Sequence, residues 1–312
     1  MTGGNAMKLK NAAGLPALLL ILILIVMCTA FPVWADDGKG PGYEAAALFQ
    51  GQEILLVNSQ TEGQMMSYVI TSVNGHIVVI DGGTADDAPH LREILMQKGG
   101  VVDAWFITHA HSDHVGALNR ILSEGTGDLT IRNVYYNFAP AEWYLENEPS
   151  RADTAIEAKT RIEALGPAAH TVTKGEVVTV DDISVTVLNE PYLFPVNSIN
   201  NSSVAYRMDM GGRRVIFLGD MGSAPGQALL RDVPAEELKA DIVQMAHHGQ
   251  YGVDREVYEV IRPFVCMWNT PEWLYTNRNG TGEYLTLVTR QWMRELGVNT
   301  HITMFGGDRI IK

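Results

Sequence analysis

Positions 109 to 115 read His-Ala-His-Ser-Asp-His-Val, which puts three imidazoles and one carboxylate within six residues. The cluster follows directly on the apolar run Ala104-Trp105-Phe106-Ile107. Imidazole is the commonest neutral metal ligand, and aspartate adds a hard anionic oxygen. Such a set can hold a divalent ion and leave positions for water. It therefore points to hydrolysis rather than to a purely structural metal. This donor mixture suits Zn²⁺ first, with Mn²⁺ or Fe²⁺ as alternatives.

The elements that must carry these groups show one recurring pattern, an apolar stretch running straight into a polar or ionisable residue. It occurs at Ile80→Asp81, Thr108→His109, Gly219→Asp220 and Ala246→His247. Strand ends along one sheet edge converge, and α/β folds place their chemistry there. The strand candidates are Ile54–Val57, Met66–Ile70 and His76–Ile80, the last two joined by an Asn74-Gly75 hairpin turn. Asp87-Ala88-Pro89 starts a helix that Gly99-Gly100 stops. A strand over Val101–Thr108 then delivers the histidines, and Val115-Gly116-Ala117-Leu118 opens the next helix. Ala141–Leu165 is charged, Ala-rich and reads as a surface helix, and Val177–Leu188 as a hairpin turning at Asp181-Asp182. Ser203–Met210 and Arg214–Leu218 flank Gly211-Gly212, and Ile242–Ala246 is a short buried strand. Strands followed by helices in both halves predict a layered α/β architecture.

The chain has 312 residues, 46% of them hydrophobic, and a formal net charge of −13. That charge opposes stable nucleic-acid binding, and no Lys/Arg cluster offers a local track. At the N-terminus, Lys8 and Lys10 precede an apolar run from Leu15 to Cys28, and Val33-Trp34-Ala35 ends it before Asp36-Asp37. Residues 1–35 thus read as a signal peptide or an N-terminal membrane anchor, and residues 36–312 as the exported domain, with Asp36–Tyr43 a short linker. Cys28 is preceded by Met27 where a lipidation motif has a small residue. Cleavage after Ala35 leaves Cys266 as the one cysteine and excludes an internal disulfide.

Taken in order, these motifs resemble the metallo-β-lactamase fold superfamily of metallohydrolases, with His-x-His-x-Asp-His as the specific signature. The stretches Asn200-Asn201-Ser202-Ser203-Val204, Phe217-Leu218-Gly219-Asp220 and His247-His248-Gly249 narrow the likeness. They are similar to the hydrolase domain of ComEC-type competence proteins and to secreted phosphorylcholine-esterase relatives. The resemblance implies a four-layer αββα sandwich and one or two divalent ions with a shared hydroxide nucleophile. It implies His109 and His111 on a first metal, Asp113 and His114 on a second, and Asp220 bridging. His248 or His247 would complete the second site. Asp113, His247 and His248 would share the proton handling and charge stabilisation, and Asp81 and Asn201 would orient the ligands from behind. It also implies a small or polymeric phosphoester substrate derived from cell wall or nucleic acid, with membrane contact only through the N-terminal segment.

One departure stands out. The superfamily usually supplies a third His to the first metal from the region between His114 and Asp220. That region offers Asn200, Asn201, Ser202 and Ser203 here, and its only His, His170, lies in another context. An amide or a water would fill the place, which counts against a β-lactamase. Tyr251 and Trp273 are candidates for lining a substrate groove, whereas His76, His90, His170 and His301 read as structural or exposed. Two other functions stay open at this point: a carbonyl-directed lactonase, amidase or thioesterase, and a non-catalytic metal-binding surface protein.

Overall fold

Two seven-stranded sheets dominate the computed structural model, which describes residues 48–312. The expected leader and the linker lie outside the described residues. The first sheet runs Arg309–Ile311, Glu53–Leu56, Ser67–Thr71, Ile77–Asp81, Ala104–Phe106, Val134–Tyr136, Ala169–Thr171. The second runs Thr300–Thr303, Val265–Trp268, Ile242–Gln244, Arg213–Phe217, Tyr206–Met210, Ile183–Val187, Val177–Val180. Each is antiparallel at one side and parallel at the other.

Side-chain alternation explains the layering. Val215 and Phe217 face the core between the sheets, whereas Ile216 and Leu218 face an outer cluster with Leu229, Val257 and Ile261. Val265 and Met267 alternate with Cys266 and Trp268 in the same way. Strands buried on both faces must be apolar throughout, so they read in sequence as unbroken hydrophobic runs. Aromatic edges lock the two sheets together: Tyr68 meets Phe217 at 5.1 Å and Phe106 meets Tyr206 at 5.3 Å between ring centroids. Helices cover the outer faces, giving the αββα sandwich of the metallo-β-lactamase fold.

Local boundaries differ from expectation where tertiary contacts compete with pattern. The expected strand Val101–Thr108 divides at Asp103. Val101–Val102 pairs with Thr130–Ile131 in a separate ribbon, and Ala104–Phe106 enters the first sheet. Asp103 breaks the run because its carboxylate accepts from the Ile77 amide and from Arg132. The helix expected from Val115 begins at Ser112, so Asp113 and His114 lie in its first turn. Residues 198–201 form one helical turn, and the strand expected from Ser203 starts at Tyr206. Ala141–Leu165 is two helices, Ala141–Asn147 and Pro149–Glu163, broken at Glu148 before a proline.

Candidate metal centre

Parallel strands deliver the site at their C-terminal ends. Asp81 ends Ile77–Asp81, and the histidine run follows Ala104–Phe106. Asp220 follows Arg213–Phe217, and His247-His248 follow Ile242–Gln244. Asp81 is fully buried and acts as a hub. It accepts from the Thr108 amide (2.7 Å), the Thr108 hydroxyl (2.7 Å) and His114 Nδ1 (2.7 Å). Because the Thr108 proton goes to Asp81, its oxygen is free to accept from His109 Nδ1 at 3.0 Å. His248 Nδ1 donates to the Asn269 carbonyl at 2.7 Å. Each of these three rings is thus held by Nδ1 and offers Nε2, which fixes the tautomer a metal requires.

The offered nitrogens meet two carboxylates. His114 Nε2 stands 3.2 Å from Asp220 Oδ1, and His248 Nε2 stands 3.4 Å from Asp220 Oδ2 and 3.1 Å from Asp113 Oδ2. One ligand atom from each of Asp113, His114, Asp220 and His248 can be chosen so that all lie within 4.8 Å of one another. His109 Nε2 lies 4.0 Å and His247 Nε2 3.9 Å from Asp220 Oδ2. His109 Nε2, His114 Nε2 and Asp220 Oδ1 are buried and have no hydrogen-bond partner. Orphaned buried polar atoms are costly, and three of them converging is the arrangement that a coordinated cation satisfies. The residues fit a divalent metal.

The electrostatics agree. Burial opposes charge on His114, but Asp220, Asp113 and Asp81 overcome it and hold the imidazole well above its usual pKa. Against the same burial, Asp220 and Asp113 push His248 up to about 9. Burial also opposes ionisation of Asp113 and Asp220, yet the neighbouring histidines keep both carboxyls below the usual range. His109 moves the other way, because burial and His114 both lower it. The pocket concentrates negative charge in a dry volume, which is what attracts a cation.

Glu148, which the sequence did not single out, joins the site through His111. His111 Nε2 donates to its Oε1 at 3.1 Å, Arg151 donates to the same oxygen at 3.2 Å, and the Ile199 amide donates to Oε2 at 3.0 Å. These partners hold its carboxyl at about 2 against the opposing effect of burial. Its only sequence signal is a glutamate immediately before Pro149, at a helix break within a charged stretch.

A polar cavity of about 380 Å³ opens over the centre, lined among others by His111, Asp113, Asp220, His248, Arg151 and Asn200. Of the adjacent pair, His248 joins the cluster. His247 lies beside it with Nε2 3.1 Å from Asn200 Nδ2 and Nδ1 unpartnered. Asn200 Oδ1 is buried without a partner. Asn201 sits behind the ligands, accepting from the Gly222 amide at 3.1 Å, two residues past Asp220. Asp81, Asn197, His247 and His248 all have φ near +50 to +55, an uncommon conformation for side-chain-bearing residues that concentrates at functional sites.

Tyr251 and Trp273 are not among the cavity-lining residues. Instead, each packs on Tyr284 (6.2 and 5.7 Å between centroids), and Trp273 Nε1 donates to the Glu62 carbonyl at 2.7 Å. These contacts hold the two rings against Tyr284. His76, His90 and His170 pair with Asp103, Asp308 and Asn133, and His301 Nε2 donates to the Val298 carbonyl.

Comparison with known proteins places this geometry. In structure, the chain is similar to the metallo-β-lactamase fold protein YhfI from Bacillus subtilis, with 9% identity and a TM-score of 0.52. That match covers 84% of this chain and 99% of YhfI. It is also similar to an E377D mutant of the β-hydroxylase CmlA, with 12% identity, a TM-score of 0.50, and coverage of 84% and 54%. A diphosphatase of the PhnP family matches at 14% identity with a TM-score of 0.45, over 83% and 97% of the two chains. No curated protein matches it in sequence. The sequence profile described as "Metallo-beta-lactamase superfamily" matches residues 61–264. With the sandwich, the strand-end ligands and that match together, the chain belongs to the metallo-β-lactamase superfamily.

Proposed function

We propose that this superfamily member is an exported, metal-dependent hydrolase of phosphate esters, phosphodiesters above all, with a substrate derived from cell wall or nucleic acid. The observation that carries the reading is the convergence of buried, unpartnered His109 Nε2, His114 Nε2 and Asp220 Oδ1 beneath an open polar cavity. Divalent ions held there, Zn²⁺ first, would lower the pKa of water and polarise a phosphoryl oxygen. Asp113, His114, Asp220 and His248 form the better furnished site, and His109, His111 and Asp220 the poorer one. Asp113 handles protons at Oδ2, and His247, whose Nε2 lies 3.9 Å from Asp220 Oδ2, meets the developing charge or the leaving group.

Arg151 favours phosphorus over carbonyl chemistry. It is the only Lys or Arg side chain among the cavity-lining residues, and Thr154 lies one turn further on the same helix face. A guanidinium beside a hydroxyl suits an anionic ester, and a neutral lactone gains little from it. Export is supported by the leader-like N-terminal pattern.

Metal-reconstituted protein should release nitrophenol from bis(p-nitrophenyl) phosphate, and chelator should abolish the release. Absence of chelator-sensitive turnover with Zn²⁺, Mn²⁺ and Fe²⁺ would sink the proposal. Turnover of lactones or nitrocefin but not of the phosphodiester would replace it with the carbonyl reading.

A further inference from the structure

We propose that Glu148 is a positioning residue that aims His111 Nδ1 at the first metal and ties that ligand to the segment carrying Asn200. The inference rests on the metal-dependent reading of the site and not on the phosphoester substrate.

Ring direction separates the four histidines. His109, His114 and His248 are fixed through Nδ1 and present Nε2. His111 is the exception. Its Nε2 is committed to Glu148, so Nδ1 is the nitrogen left for a metal. Its ring stands edge-on to that of His109, 5.1 Å between centroids, and it lines the cavity. A carboxylate on the outer nitrogen fixes the tautomer, raises the basicity of the inner one and limits rotation of the ring.

The position of Glu148 suits this role. It occupies the break between two helices, where the following proline disfavours helical backbone (φ −147, ψ 57) and prevents the first helix from running on. The carboxylate is largely buried at 13% side-chain exposure, against 8% for His111. Its second oxygen takes the Ile199 amide at 3.0 Å and the Ser198 hydroxyl at 3.4 Å, anchoring the single helical turn that precedes Ser202. The same turn presents Asn200 to the cavity. One carboxylate therefore sets both sides of the site that lacks a third imidazole. A site with fewer direct ligands depends more on the exact aim of those it has.

Titration of the metal-free full chain with Co²⁺, followed by the visible d–d bands and by metal analysis after dialysis, tests this. Wild type should take two equivalents. E148A should bind the weaker equivalent 10- to 100-fold less tightly with the other unchanged. E148Q keeps an acceptor for His111 Nε2–H and should recover most of the loss. Two equivalents at wild-type affinity in E148A would overturn the proposal, as would a single equivalent in wild type. Should E148A fail to fold by circular dichroism, ¹⁵N-histidine spectra of Cd²⁺-loaded wild type decide: coordination of His111 through Nδ1 is expected, and coordination through Nε2 overturns the proposal.

Discussion

Adjacent histidines have different neighbours because the backbone, not the side-chain type, sets how near each Nε2 comes to Asp220 Oδ2: 3.4 Å for His248 and 3.9 Å for His247. His248 is locked by the Asn269 carbonyl and lies within the four-ligand cluster, whereas His247 faces Asn200. The two substitutions should therefore separate. H248A should lose at least one equivalent of metal together with activity. H247A should keep its metal and lose turnover by about 10²- to 10⁴-fold, the range for a positioned acid or charge-stabilising group. Metal analysis beside steady-state kinetics checks the pair, and equal metal loss in both variants would contradict the division. The resemblance implied that Asp81 orients the ligands from behind, but only the folded chain brings the Thr108 and His114 donors to it.

At the scale of elements, the turn after Ile242–Gln244 is the constrained part. Gly249 has φ +78, and a Cβ there would lie 2.3 Å from the ring of Trp268. The two preceding histidines are already left-handed, so the backbone has no freedom to move the added methyl away. G249A should cost about 3 kcal/mol, combining a positive-φ penalty with overpacking against a buried ring. Urea unfolding measures it, and a loss under about 1 kcal/mol would show that the turn relaxes. Motif order revealed this strand-end turn. The helix break at Glu148 was not legible, because a charged Ala-rich stretch has the same composition whether it faces solvent or a metal site.

Across the whole molecule, the two ends of the described chain meet in one sheet, where Glu53–Leu56 pairs with Arg309–Ile311. Glu53 forms ion pairs there with Lys98 and Lys312. Burial raises its pKa, but the two lysines outweigh that and hold the carboxyl below its ordinary value of 4.5. A depressed carboxyl pKa contributes stability above the unfolded value, and that contribution is lost as pH falls through the folded one. E53Q should therefore cost about 0.5 kcal/mol near neutral pH, a solvent-screened amount. The difference from wild type should shrink as pH falls below 4.5 and vanish once pH is below the lowered folded value. Denaturant melts of both proteins across that range give the comparison. A difference that persisted in acid would assign the loss to packing instead.

By itself the sequence determined the class of chemistry and the order of the parts. The His-x-His-x-Asp-His run, Asp220 and the His247–His248 pair each follow an apolar strand, and apolar periodicity encodes the strands locally. Only the tertiary structure decided which atoms face one another. It selected His248 over His247 for the cluster, put Glu148 behind His111 across 37 positions of chain, and packed Tyr251 and Trp273 on Tyr284. The physical reason is that a side chain's role depends on its free nitrogen or oxygen, and partners distant in sequence consume the others. Spacing along a chain records which ligands are present, and the hydrogen bonds made on folding record where each one points.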